Sequence, residues 1–283
     1  MFVEQGKQVN KVPATDEAAA RLLHVIGHRD SYLTEGTLRT ALTNIAENTG
    51  SPSGSLRTVK GFLEANAVAD WFQNGDVNML KNAFYARSKI DYILTLDPYR
   101  EVVSDHAFEG MALHGMFSLI SDNYKLINWY AKIDAQFNEA RVNNVKQFDF
   151  WTKQFFLALR GEWDVLGDRC ERIIHSPPQG SREKKFMIDH HFYLALAKGD
   201  LTGMTTIIEQ LVSHKFISKR GSLEGGYTRG LLCTPAILYS KLAWRHGYAV
   251  EVDSPYVPSD WLPIDPILDY TDPFEFMCSY PLP

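Results

Sequence analysis

The sequence predicts an all-α protein in which helical hairpins stack as a solenoid-like array, closed by an extended tail rich in proline and aromatic residues. Three observations predict it. A hairpin-shaped motif recurs, apolar residues fall at three- and four-residue steps between glycine and proline stops, and six prolines crowd the stretch from Pro255 to Pro281.

The clearest copy of the motif runs from Phe186 to Ser213. Phe192, Leu194, Ala195 and Leu196 close a first helix and Gly199 ends it; Asp200 can cap a second helix carrying Met204, Ile207, Ile208 and Leu211. An earlier copy begins at Phe155, 37 residues before Phe192, and again places a glycine, Gly161, after the aromatic-Leu-Ala-Leu run. A weaker copy starts at Phe117, turns at Asp122-Asn123 and continues through Leu126, Ile127 and Trp129. Gly75-Asp76-Val77 marks a related turn. Periods of about 34–47 residues built from helix pairs are the signature of TPR-like arrays, in which each pair buries its apolar face only against a neighbour.

In chain order, Thr15 or Asp16 caps a helix carrying Leu22, Leu23, Val25 and Ile26, and a second helix spans Thr37 to Asn48. Ser51-Pro-Ser-Gly-Ser reads as a linker before a helix from Leu56 to Phe72. Asp76 to Leu96 follows, stopped by Asp97-Pro98, and then Val102 to Ile120. Beyond the hairpins, Lys215 to Thr228 reads as the longest loop. Thr234 as cap, Pro235 at the first helical position, Arg245 and His246 in the last turn and Gly247 beyond it specify a short helix. Val250 and Val252 alternate with Glu251 and Asp253 as in a strand, and Trp261, Tyr270, Phe274 and Phe276 are the residues by which the tail packs. One all-helical domain, 1–283, is expected; its natural subdivisions are 1–50, the hairpin array 56–247 and the tail 248–283.

Composition narrows the function. With 45% hydrophobic and 12% aromatic residues the chain can bury a core, and its net charge of −5 lacks the basic field from which nucleic-acid binding gains. Cys170, Cys233 and Cys278 are neither paired nor closely spaced, so no disulfide framework or zinc site is written. Neither a signal peptide nor a membrane span is visible, and a cytoplasmic protein is expected.

Candidates for chemistry are few. His24 and His28 stand four apart on a helix, but no glutamate accompanies them in a zinc-protease arrangement. Asp189-His190-His191 spells a tripeptide of some metal phosphoesterases, yet it lies within a helix, where adjacent residues point about 100° apart. Cys170 lies on the same face as Ile173 and Ile174, as a small core residue would. No serine elbow or phosphate-cradling loop is present, so no catalytic residue, metal or cofactor is expected.

The C-terminal third carries a resemblance. Leu194-Ala-Leu-Ala-Lys-Gly-Asp, the run from Leu242 to Leu262 and the run from Leu268 to Met277 resemble the immunity protein 49 family of bacterial polymorphic toxin systems, over roughly residues 150 to 277. The resemblance implies an all-helical cytosolic protein that protects the producing cell by binding a cognate toxin encoded beside it. Asp122, Glu162, Asp164 and Asp200 recur at the hairpin turns, where an array would align them as an acidic strip facing a basic toxin, a role compatible with helix capping. The alternative from another class is a helical-repeat scaffold that binds a peptide in its concave groove. A third, a metal-dependent hydrolase, would use the helical histidines.

Overall fold

The computed structural model describes residues 11, 13–100, 110–220 and 226–283. Helix dominates, and among the described residues there is no β-strand, so the all-α expectation holds. The chain divides into two compact units: Met1–Glu101 with Gly226–Leu231 and Pro266–Leu282, and Val102–Gly225 with Leu232–Asp265.

The first unit opens with α1 (Asp16–Thr34), whose Ala18 N–H donates to the Thr15 hydroxyl at 3.1 Å. Next comes α2 (Thr37–Ala46), followed by α3 (Pro52–Asn74). The expected linker at 51–55 is a helix start instead: Ser51 accepts from Gly54 N at 3.3 Å, and Pro52 occupies the first turn, where its missing N–H costs nothing. After Gly75, Asp76 caps α4 (Val77–Ile93) by accepting from Asn78 N and Met79 N at 2.8 and 3.1 Å. Because α3 packs against α1, α2 and α4, its apolar residues leave no single polar face, and Leu56, Val59, Ala65 and Val68 are all buried. Buried Arg87 is held by Glu64 at 3.4 Å and Asp91 at 2.5 Å.

The second unit contains α5 (Met111–Ile120), α6 (Tyr124–Tyr130), α7 (Glu139–Val142), α8 (Phe148–Arg160), α9 (Trp163–His175), α10 (Ser181–Lys184), α11 (Met187–Lys198), α12 (Leu201–Leu211), α13 (His214–Arg220) and α14 (Thr234–Arg245). The expected hairpins are α5/α6, α8/α9 and α11/α12. Of the helix expected at 102–120, residues 102–109 lie outside the described residues. The loop expected at 215–228 begins as α13, and its residues 221–225 also lie outside them. Thr234 is not a cap but the buried first residue of α14, preceded by Cys233.

Within this unit α11 packs on α8, α9 and α12, while α14 packs on both α12 and α5. The last helix thereby bridges the first and third hairpins and is buried nearly all round. Aromatic rings fill the contacts: Tyr130 stacks on Phe156 at 5.8 Å and Phe192 on Tyr239 at 4.4 Å. A Cβ at Gly115 would collide with the Phe155 ring, so α5 approaches α8 only because that position is glycine.

Residues 249–253 are not a strand, since among the described residues no neighbouring strand offers a ladder. Val250 is buried instead, and its carbonyl accepts from Trp244 Nε1 at 2.9 Å. Val257 and Trp261 are buried too, so this part of the tail plugs the second unit. The remainder, with α15 (Glu275–Cys278), packs on α4 in the first unit: Lys89 pairs with Asp272 at 2.6 Å, and Tyr270 packs on Tyr85 at 5.0 Å.

Candidate functional site

The hairpin turns of the second unit share one backbone design. Gly161 and Gly199 take φ of 70° and 67°, the left-handed conformation that ends a helix cheaply only at glycine, and Glu162 and Asp200 then open the second helix. At the first hairpin Asp122 occupies the glycine's place with φ 55°, and Asn123 is the cap, accepting from Leu126 N at 3.0 Å. A large apolar residue follows each cap: Tyr124, Trp163 and Leu201.

All of these turns meet the C-terminal end of α14. Lys241 Nζ pairs with Asp122 Oδ1 at 2.8 Å, both side chains fully buried, and also donates to the Pro263 carbonyl at 2.7 Å. Asp265 N–H donates to Asp122 Oδ2 at 3.2 Å. The Trp163 ring packs on His246 at 4.6 Å. The Tyr248 hydroxyl lies 2.8 Å from where a Cβ of Gly199 would stand. Burial lowers the pKa values of both Arg245 and His246; the charge of Asp122 works against the shift at Arg245, and the Ala158 carbonyl does so at His246. One helix end therefore gathers the turns into a single edge.

The sequence-predicted acidic residues divide on this edge. Asp122 lies inside, ion-paired to Lys241 and not at the surface, so it is neither a cap nor a group a partner could reach. Glu162, Asp164 and Asp200 are exposed. Asp200 caps its helix by accepting from Gly203 N at 2.9 Å; Glu162 makes no cap bond and pairs with Arg160, whose guanidinium also holds Asp134 at 2.8 Å. Beside them stand exposed apolar side chains, Tyr124 at 64%, Val165 at 50% and Leu201 at 44%. Such exposure at equivalent turns is a pattern that individual surface hydrophobics do not make. Sequence reasoning missed these apolar residues and the buried Lys241 behind them, and it read the half-buried Arg245 and His246 only as basic residues of a last helical turn; a lysine on a short helix gives no sign that it faces inward.

The chemical candidates do not assemble. The His24 and His28 rings lie 4.4 Å apart on the exposed side of α1, and among the described residues no group of three His, Cys, Asp or Glu side chains is placed to hold a metal. Asp189 and His190 point inward, Asp189 accepting from the Tyr239 hydroxyl, while His191 is exposed. Burial pushes the His190 imidazole down to about 3 and the Cys170 thiol up to about 12, so the first stays neutral and the second is inert as a nucleophile near neutral pH.

Residues 165–261 match the family described as Immunity protein 49, so the resemblance carried by the sequence motifs is confirmed over that stretch. The match covers α9 from Val165, the third hairpin, α14 and the tail as far as Trp261; the motif from Leu268 to Met277 lies beyond it. No curated protein and no solved structure matches the chain. No helix among the described residues is long and apolar enough to cross a membrane.

Proposed function

We propose that this chain is an immunity protein that binds a cognate protein toxin, encoded beside it, and neutralises it by occlusion in the cytoplasm of the producing cell. The observation that carries the reading is the match of residues 165–261 to an immunity family, a stretch that includes Val165, Asp200, Leu201 and the α14 residues gathering the turns. The proposed contact surface is the turn edge. Exposed Glu162, Asp164 and Asp200 steer a basic toxin face toward it, and Tyr124, Val165 and Leu201 supply the apolar anchors that hold it. Occlusion requires no catalytic group, metal or cofactor from this chain.

The peptide-scaffold alternative requires an open concavity between the first and last hairpins. It has less support, because α14 packs against both α5 and α12.

The test is growth of a heterologous bacterium expressing the C-terminal domain of the neighbouring large gene, with and without this protein. Arrest relieved by this protein alone is the expected result; arrest that persists while both are expressed in soluble form would refute the pairing. Asp164→Lys with Asp200→Lys should weaken the complex more at low salt than at high, because exposed charges are screened beyond about 8 Å at physiological ionic strength. Equal weakening at both would remove the steering role.

A further inference from the structure

Between α10, α11, α12 and α13 the second unit opens into a surface groove of about 650 Å³. Met187, Ile188, Ile207 and Phe216 form an apolar floor, each of them half-buried. On α11 the lining residues are Met187, Ile188 and His191, and on α12 Thr202, Gly203, Thr206, Ile207 and Gln210; these fall at three- and four-residue steps, so each helix contributes one stripe. Gly203 leaves the floor open where a side chain would run into the Asp200 carboxylate.

The ends of the groove differ in charge. Because α11 and α12 form an antiparallel hairpin, Asp200 lines the end at their turn, and Lys184 and Lys185 line the end before α11, with His191 between. At 1.5 Å per helical residue these ends stand roughly 20 Å apart. In a chain of net charge −5, this is a local reversal of sign. The Asp200 end is also part of the turn edge, so groove and edge form one continuous surface.

We infer that the groove receives one segment of the toxin, a stretch that carries a basic residue, then an apolar run, then carboxylates. It lies with its cation toward Asp200, its apolar run over Ile188 and Ile207, and its carboxylates toward Lys184 and Lys185. This deepens the immunity reading and rests on it. The opposite charges at the two ends fix the segment's direction, as complementary charges fix register across an interface, and the apolar floor supplies the area that desolvation turns into affinity.

The test is isothermal titration of the full chain with the catalytically inactivated toxin domain encoded beside it. Two variants probe the groove, Ile207→Glu and the pair Lys184→Glu with Lys185→Glu, each checked for an unchanged helical spectrum and melting temperature. Each should raise Kd by about tenfold or more, the size expected for loss of an interface anchor or a set of complementary charges. The lysine pair should lose most of its effect at high salt, whereas Ile207→Glu should keep its own. Wild-type affinity in both, with Asp164→Lys and Asp200→Lys still weakening the complex, would overturn the groove and leave the immunity reading standing. A domain that fails to bind the wild-type chain overturns both. Should Ile207→Glu unfold the protein, the exposed lysine pair decides.

Discussion

Asp122 and Asp200 sit one register step apart in equivalent hairpin turns, yet the first is buried against Lys241 and the second is exposed, capping its own helix. The contrast extends across the unit. Within it, Asp122, Asp189 and Arg169 each have buried charged or hydrogen-bonding partners; at the turn edge, Asp164 and Asp200 are exposed, and Glu162 is exposed even though it pairs with Arg160. A carboxylate at a hairpin turn is therefore two different objects, decided by whether it is buried against a buried cation, as Asp122 is against Lys241. Inside, it fixes where α14 docks; outside, it remains available to a partner.

The contrast breaks most visibly at Lys241. Lys241→Met should cost about 3–5 kcal/mol, because it leaves Asp122 charged and buried; adding Asp122→Asn should recover most of that loss. Denaturant titration checks both, and a single-variant cost under about 1 kcal/mol would mean that the pair is not what docks α14.

His190 tests the interior through pH. Its folded pKa of about 3 lies below the unfolded value of about 6.5, so the unfolded chain binds the extra proton first. The stability contributed is complete above pH ~6.5 and is lost as pH falls toward 3. Between pH 6.5 and 5 the wild type should lose up to about 2 kcal/mol relative to His190→Leu, and parallel pH profiles would rule out a buried neutral imidazole.

Smaller effects sharpen the turn edge. Gly161→Ala and Gly199→Ala should each cost about 1–2 kcal/mol for a left-handed alanine, and the second should cost more because Tyr248 must also move. Equal melting temperatures for the two would show that Tyr248 yields freely. Smallest is the cap: Asp200→Ala should cost about 1 kcal/mol, while Glu162→Ala should change stability by less than about 0.5, because Glu162 makes no cap bond.

Much of the fold was legible because hairpins announce themselves locally. Gly161, Gly199 and Asp200 fixed turn positions to the residue, and apolar spacing located α1, α4, α11 and α12. The failures have physical causes. Ser51-Pro52 reads as a linker or as a helix start, depending on whether the following turn is packed, and tertiary burial of α3 decides for the helix. Val250 and Val252 alternate like a strand, but alternation makes a strand only where a neighbour pairs with it. The candidate edge was half legible: its acids and their turns could be found, whereas no local pattern singles out exposed Tyr124, Val165 and Leu201 or buried Lys241. Exposure is a property of the assembled unit, and no window of sequence contains it.

The interleaving of the two units sets a schedule for synthesis. Arg21 of α1 donates to the carbonyls of Gly226 and Arg229, α4 packs on α15, and α5 of the second unit waits for α14. On a ribosome adding about 5–20 residues per second, α1 exists for on the order of ten seconds or longer before those carbonyls are made. Neither unit can be completed while the chain is still half translated. Contacts this distant in sequence slow folding and leave apolar helix faces exposed in the meantime, so a prematurely terminated product should be cleared by proteases rather than accumulate as a partly working protein.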